Sequence, residues 1–197
     1  MKKTVSMFTS LCLYAAMMVL LNGCAGKTRE QVPLPEIPES YGLEDAKKDG
    51  CVVHENGDIS SGEKAWDSFV EQSSDGKPSS VRIGYYYTLD DSAKYTAEDY
   101  ERLKNEYPVL FLKDLEFDGE QYTLLSYEDG SEQKREYSYL KKFEGDAGAD
   151  AVYDSYIQYV LTDEKDATWE QLMKSLYSSQ TSDFIDFQIV YTDYIYE

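Results

Sequence analysis

Two runs of strand-forming residues joined by an Asp-Gly pair constrain the fold of this 197-residue chain more than any other feature. Residues 109–117 and 120–127 are rich in aromatic and aliphatic side chains. Asp118-Gly119 between them is the pair that a two-residue type I′ hairpin turn favours. With such a turn, Phe117 lies opposite Glu120. Because side chains alternate along a strand, five apolar residues then share one side of the hairpin: Phe111, Leu115, Phe117, Tyr122 and Leu124.

A second Asp-Gly pair continues the same pattern. Asp129-Gly130 leads into a third predicted strand over residues 133–143, and a loop follows over residues 145–150. Three consecutive strands joined by tight turns form an antiparallel meander. We therefore predict a meander at the centre of the sheet.

Helical spacing of apolar residues and N-terminal capping signals predict the helices. Two Ser/Thr residues are followed three positions later by a side chain that completes a capping box, Ser60 by Glu63 and Thr168 by Gln171. Thr96 with Asp99 is predicted to start another helix. The predicted helices cover residues 42–48, about 62–73, 97–107 and the segment after Thr168.

Further strands are predicted over residues 51–54, 80–89 and 184–196. Residues 153–161 fit a helix or a strand, and their β-rich end favours a strand. In the last strand, strict alternation places five apolar residues on one face: Ile185, Phe187, Ile189, Tyr191 and Ile195. Helices interspersed with hairpins, without regular βαβ units, predict a single α+β domain in which about three helices pack on a mainly antiparallel sheet.

The N-terminus has the pattern of a secretory signal. Lys2 and Lys3 precede an apolar run over residues 11–21, which is shorter than the roughly 20 residues that span a bilayer. The sequence that follows, Leu-Asn-Gly-Cys at residues 21–24, resembles the lipobox of bacterial lipoproteins, although Asn22 stands where smaller residues are commoner. That resemblance implies removal of residues 1–23 and lipidation of Cys24 with fatty acyl chains. The alternatives are an ordinary signal peptide with an unmodified cysteine, or an uncleaved anchor.

The segment after Cys24 is predicted to be a tether. Pro33, Pro35 and Pro38 favour an extended, partly polyproline II chain over residues 24–40. Such a spacer could hold the domain on the order of 40 to 50 Å from the membrane. The predicted organisation is therefore a signal peptide over residues 1–23, a lipidated tether over residues 24–40 and one domain over residues 41–197.

Charge limits the partners of the domain. Loss of residues 1–23 removes two lysines and no acid, which changes the formal net charge from −19 to −21. Such a surface repels nucleic-acid phosphates and anionic lipid head groups. We expect a monomer that contacts the membrane through its lipid, meets an extracellular protein, peptide or glycan, and binds no nucleic acid.

Seven short motifs follow the order found in a family of Gram-positive lipoproteins. They are Gly50-Cys51-Val52-Val53, Gly57-Asp58-Ile59-Ser60, Trp66 with Phe69, Gly76-Lys77, Val81-Arg82-Ile83, Tyr87-Thr88, and Asp114-Leu115 with Asp118-Gly119. Over residues 43–127 the chain thereby resembles the DUF4362 lipoproteins. The family carries an acidic Glu-Gly-Asp-Pro segment where this chain has Leu89-Asp90-Asp91 and a helix-containing insert. The resemblance implies a location and a fold, and no chemistry, because the family has no established activity.

Reactive side chains are few. Cys51 is the cysteine that remains after Cys12 leaves with the signal and Cys24 is lipidated, so no internal disulfide forms; we predict that its thiol is buried, the alternative being an intermolecular bond. Cys51 and His54 are three apart on a predicted strand and point to opposite faces. His54 is also the only histidine, which excludes a multi-histidine zinc site. No cofactor or catalytic fingerprint is present, so no cofactor and no catalytic residue are predicted.

An acidic motif imitates the first half of an EF-hand loop. It consists of Asp114, Glu116 and Asp118, followed by Gly119. Position twelve of the loop falls on Leu125, where a bidentate glutamate is required. We therefore predict a strand and turn here, and no metal ligands.

Tyrosine is abundant, with 19 residues. Alternation along the predicted strands must place some of them outward, and exposed tyrosine suits a recognition surface because it offers a large contact area at low entropic cost. The candidate ligand-binding residues are Tyr85, Tyr87, Tyr137, Tyr139 and Tyr194. The alternative is that these side chains are sheet-forming and half covered by helices.

These observations predict a non-enzymatic lipoprotein on the outer face of the cell membrane, with an acidic, tyrosine-rich binding surface. Two other functions remain open. One is an envelope hydrolase or modifying enzyme that uses acidic side chains, and the other is an accessory subunit of an envelope system.

Overall fold

The alternating apolar residues in the first two thirds of the chain form a six-stranded sheet. The computed structural model describes residues 31–178 and 184–196, and the strand order in this sheet is β2-β1-β3-β4-β5-β6. All neighbouring strands are antiparallel except β1 and β3, which are parallel. The strands are β1 Val52–Glu55, β2 Asp58–Ser61, β3 Ser79–Tyr87, β4 Val109–Phe117, β5 Tyr122–Glu128 and β6 Ser131–Tyr137. The predicted meander is β4, β5 and β6, and it forms one side of the sheet rather than its centre.

A second sheet of three antiparallel strands follows, in the order β7-β8-β9. Its strands are β7 Tyr139–Asp146, β8 Ser155–Thr162 and β9 Phe187–Ile195. The single strand predicted over residues 133–143 is wrong, because the chain leaves the first sheet at Ser138 and enters the second. The backbone N–H and the hydroxyl of Ser138 both donate to Asp163 Oδ1, at 2.9 and 2.8 Å. This side-chain anchor replaces the ladder hydrogen bonds at the crossing point.

Four α-helices lie in the described part of the chain: α1 Leu43–Lys48, α2 Glu63–Ser74, α3 Ala97–Leu103 and α4 Trp169–Tyr177. The predicted α+β class is confirmed, with two mostly antiparallel sheets where one was expected. The caps of α3 and α4 are as predicted, since Thr96 Oγ1 accepts from Asp99 N–H at 3.1 Å and Thr168 Oγ1 from Gln171 N–H at 3.3 Å.

The predicted Ser60 cap of α2 is wrong. Ser60 belongs to β2, and its hydroxyl donates to the Val53 carbonyl oxygen at 3.3 Å. The helix begins after Gly62, which has a φ of +85° and lies against the backbone of Cys51 and Val52. A side chain at Gly62 would collide with that backbone, so this turn requires glycine.

The register of the β4–β5 hairpin differs from the prediction. Phe117 pairs with Tyr122 and Leu115 with Leu124, so the loop has four residues rather than two. Asp118 Oδ1 accepts the backbone N–H groups of Glu120 and Gln121, each at 2.8 Å, and this closes the longer turn. The shift is an even number of residues, so the four named side chains still share one face and are buried.

One face of the six-stranded sheet, here called the inner face, carries the main core. It packs against Trp66 and Phe69 of α2 and against Leu161, Val190 and Tyr191 of the second sheet. On the outer face, a smaller cluster joins Ala46 of α1 to Cys51 and Val53. The helix α4 covers the far side of the second sheet, where Leu172 contacts Val160 and Ala167.

The predicted alternation of β9 is interrupted by a β-bulge. Tyr191 pairs with Tyr159 and Ile189 with Val160, which leaves Val190 as the extra residue. Val190 and Tyr191 therefore both contact the main core, while Phe187 and Ile189 pack towards α4. The single apolar face predicted for this strand is thus divided between two layers.

The compact unit begins at Pro33, eight residues before the predicted boundary at Tyr41. Leu34–Glu36 form a short 3-10 helix that contacts β4 and β5. Leu34 and Ile37 border an apolar hollow with Leu110 and Tyr127, where the β4–β5 ladder has already ended. The second half of the predicted tether is therefore part of the domain.

Candidate functional site

Two of the five candidate tyrosines have their side chains engaged in contacts within the protein. Tyr137 is completely buried in the main core. Tyr85 is half-buried and its hydroxyl donates to the Val190 carbonyl oxygen at 2.9 Å. Tyr137 therefore cannot contact a partner in this fold, and the hydroxyl of Tyr85 is already bound within the protein, so neither residue supports the predicted binding role.

The other three tyrosines reach the surface at separate places. Tyr87 is 39 % exposed at the end of β3, and Tyr139 is 36 % exposed at the start of β7. Tyr194 lies in β9 and packs against Tyr153, with a distance of 4.3 Å between ring centroids. Among the described residues, no two of these three rings contact each other.

An exposed aromatic pair lies at the open end of the inner face. The rings of Tyr87 and Phe111 are 6.2 Å apart between centroids and meet edge to face. Phe111 is 47 % exposed. The sequence pattern groups Phe111 with the core residues of β4, and no local signal shows that the covering layer ends before this row. The structure thus indicates this aromatic pair, rather than the five predicted tyrosines, as the candidate ligand-binding surface.

A polar cleft adjoins this pair on the same face. It encloses about 320 Å³ between the meander and β9. Leu124 and the half-buried Lys113 and Ser126 form its floor, and Arg135 and Gln188 are among the residues at its rim. We call it the meander cleft. Lys113 follows Phe111 by two residues on β4, so both side chains point to the same face of the sheet.

Lys113 is the charged group on the floor of the meander cleft. Burial lowers its pKa, an effect that Glu128 opposes and Arg135 reinforces. Its Nζ lies 5.7 Å from the centroid of the Tyr85 ring, in cation–π geometry. A lysine among the apolar residues of β4 is the one sequence signal for this cleft, and sequence analysis missed it.

His54 and Cys51 do not form a catalytic pair. Cys51 is buried in the outer-face cluster, as predicted. His54 lies on the inner face, stacked on Tyr85 at 5.5 Å and edge-on to Tyr191 at 5.3 Å between centroids. Burial lowers the pKa of His54 to about 4. The histidine is therefore a neutral core residue at physiological pH.

The acidic motif on β4 has structural contacts. Asp114 accepts two hydrogen bonds from Arg82, at 2.6 Å from Nε and 2.8 Å from Nη2. Asp118 closes the β4–β5 loop. Across residues 31–178 and 184–196, no group of three His, Cys, Asp or Glu side chains is arranged to hold a metal ion.

No protein-family model, curated protein or solved structure matches the chain. The resemblance to the DUF4362 lipoproteins therefore stays a prediction. Among the residues that the structure describes, no helix is long and apolar enough to cross a membrane. Cys24 and the signal segment lie outside the described residues.

Proposed function

We propose that this protein is a non-enzymatic, lipid-anchored module on the outer face of a bacterial cell membrane, and that it binds an extracytoplasmic ligand at the Tyr87–Phe111 pair. The observation that carries this proposal is the exposure of two contacting aromatic rings beside a polar cleft. The lipobox at Cys24 supports the location. Motifs between residues 43 and 127 support a place among the DUF4362 lipoproteins.

The aromatic pair supports binding because exposed aromatic rings are costly to leave in water and effective in recognition. Each ring offers a large contact area with few rotatable bonds. Burial of the exposed parts of Tyr87 and Phe111 by a ligand would add a hydrophobic contribution at the site. The surrounding cleft supplies hydrogen-bonding groups, so an occupant with both apolar and polar surface fits best.

The enzymatic alternative receives less support from the meander cleft. Hydrolysis by acidic side chains uses two carboxylates that face each other across the substrate, roughly 5 to 10 Å apart. The carboxylates at this cleft, Glu128 and Asp129, are consecutive residues at the turn between β5 and β6. They belong to one rim rather than to two opposing walls.

Removal of the aromatic pair is expected to abolish ligand capture without unfolding the domain. We would crosslink intact cells that produce the wild type or the double variant Tyr87→Ala/Phe111→Ala, and identify the attached proteins and glycans by mass spectrometry. At least one crosslinked species should disappear from the double variant. Tyr177→Ala is the matched control, because Tyr177 is 87 % exposed on α4 and lies away from the inner face. If the double variant keeps every species that the wild type and the control capture, the proposed site is wrong.

Replacement of Cys24 by alanine is expected to release the domain from the membrane. A diacylglyceryl group buries many methylenes at about 0.8 kcal/mol each, so its loss removes the anchor. Membrane fractionation should find the variant in the soluble fraction and the wild type in the membrane fraction. Mass spectrometry of the wild type should find acyl chains on Cys24, and an unmodified cysteine there would exclude the lipid anchor.

A further inference from the structure

The meander cleft is a cationic site on a strongly acidic protein. Strand register places Lys113, Ser126 and Gln133 in one row across β4, β5 and β6. Arg135 pairs with Leu124 in the next row. On the inner face, Lys113 therefore lies directly across from Ser126 and Arg135 lies diagonally across from it, and Arg135 is near enough to lower the pKa of Lys113.

Neither cation is neutralised by an ion pair within the described parts of the chain. Two neighbouring lysines show the contrast, since Lys134 pairs with Glu136 at 2.5 Å and Lys142 with Glu144 at 2.5 Å. Lys113 is instead half-buried against the Tyr85 ring. Burial of a cation without an anion costs free energy, which an incoming anion would recover. The same anion would raise the lowered pKa of Lys113.

Apart from Leu124, the remaining lining is polar, and it includes the charged residues Glu128, Asp129 and Lys134. Ser126, Ser131, Gln133 and Gln188 offer hydroxyl and amide groups, which both donate and accept hydrogen bonds. The volume of about 320 Å³ is at the small end of the range for ligand sites. Phe111 is exposed two residues before Lys113 on the same face, and both side chains line the hollow next to the cleft. Hydroxyl groups, a flat apolar ring face and one anionic group are together the features of a sugar acid.

We propose that the meander cleft binds an acidic saccharide unit, with its carboxylate between Lys113 and Arg135 and its hydroxyls on Ser126 and Gln133. This inference rests on the proposed function and names the ligand class of that site. Glu128 and Asp129 at the rim disfavour a second anionic group beside the first. The cleft therefore selects an isolated carboxylate over a dense polyanion.

The high negative charge of the domain does not prevent this binding. At physiological ionic strength the screening length is about 8 Å, so distant carboxylates contribute little inside the cleft. The charged residues that line the cleft are three cations, Lys113, Lys134 and Arg135, against two carboxylates, Glu128 and Asp129, which leaves a formal excess of one positive charge. Local charge thus favours a carboxylate even though the whole surface is acidic.

The test compares three probes on the full chain in detergent micelles: glucuronate, glucose and glucose 6-phosphate. Isothermal titration calorimetry should show glucuronate binding at least about tenfold more tightly than glucose, because the carboxylate forms charge-assisted hydrogen bonds. Lys113→Met keeps the apolar stem on Tyr85 and should remove this preference. Arg135→Gln, at an exposed position, should reduce it in the same way. Lys142→Gln is the control, because Lys142 is a lysine of the second sheet that does not line the cleft.

Three results would overturn the proposal. They are equal binding of glucose and glucuronate, unchanged preference in both cleft variants, and tighter binding of glucose 6-phosphate than of glucuronate, which would assign a phosphate instead. Failure of the proposed function is distinguishable, because it appears as unchanged crosslinking by the Tyr87→Ala/Phe111→Ala variant. The charge variants leave that aromatic pair intact.

Discussion

Replacement of Asp114 by alanine is expected to lower the free energy of unfolding by about 3 to 5 kcal/mol. The Arg82 side chain is only 5 % exposed and that of Asp114 17 %, and both hydrogen bonds between them join adjacent strands β3 and β4. Loss of the carboxylate leaves the guanidinium in a desolvated position with no anion. The measurement is chemical denaturation at pH 7, followed by far-UV circular dichroism.

The matched control is the double variant Arg82→Met/Asp114→Leu. It removes both charges and keeps apolar volume, so its free energy of unfolding should stay close to that of the wild type. A double variant that is as unstable as Asp114→Ala would show that the pair itself, rather than an unpaired buried charge, determines the loss. An Asp114→Ala variant within 1 kcal/mol of the wild type would contradict burial of the pair.

Stability is expected to fall as the pH drops from about 6.5 to about 4, with a contribution of about 3 kcal/mol from His54. The pKa of His54 is lowered to about 4 in the folded protein, chiefly by burial, while the unfolded chain protonates near 6.5. Between these values the unfolded state binds the additional proton, so acid favours unfolding. The Gly57 backbone and Asp58 raise the pKa of His54 and so partly oppose the effect of burial. The imidazole ring is stacked on Tyr85 and is edge-on to Tyr191.

The variant His54→Phe isolates this contribution. Phenylalanine keeps an aromatic ring between the two tyrosines and has no titrating nitrogen, and His54 Nε2 has no hydrogen-bond partner to lose. Denaturation of both proteins from pH 7 to pH 4.5 should show the wild type losing more stability than the variant. The carboxylates titrate in both proteins, so the difference between the two losses of stability reports His54 alone. Parallel pH profiles would contradict a buried, neutral histidine.

Local signals predict the local structure of this chain well. The Thr96 and Thr168 caps depend on residues three positions apart, and burial of Cys51 follows from its apolar neighbours. Such signals need no knowledge of the tertiary fold. The α+β class follows from the same patterns, because the alternation of helices and hairpins is visible along the sequence.

Features that depend on distant contacts are not predictable from those patterns. The chain crosses between sheets at Ser138 because Asp163, 25 residues later, accepts its hydrogen bonds. The exposure of Phe111 and the burial of Tyr137 depend on where the second sheet covers the first. The local sequence around Phe111 and Tyr137 does not indicate which of them is exposed. The candidate site is therefore visible only when the packing of the two sheets is known.

The docked 3-10 helix at Leu34–Glu36 limits how far the binding site could operate from a membrane. With the proposed lipid on Cys24, eight residues lie between the anchor and Pro33, and a fully extended chain from Cys24 to Pro33 reaches about 30 Å. Leu34 and Ile37 adjoin Phe111 and Lys113, so the point of attachment and the binding site are neighbours. If Cys24 carries the proposed lipid, the proposed site would stay close to the bilayer, where it would meet membrane-proximal molecules.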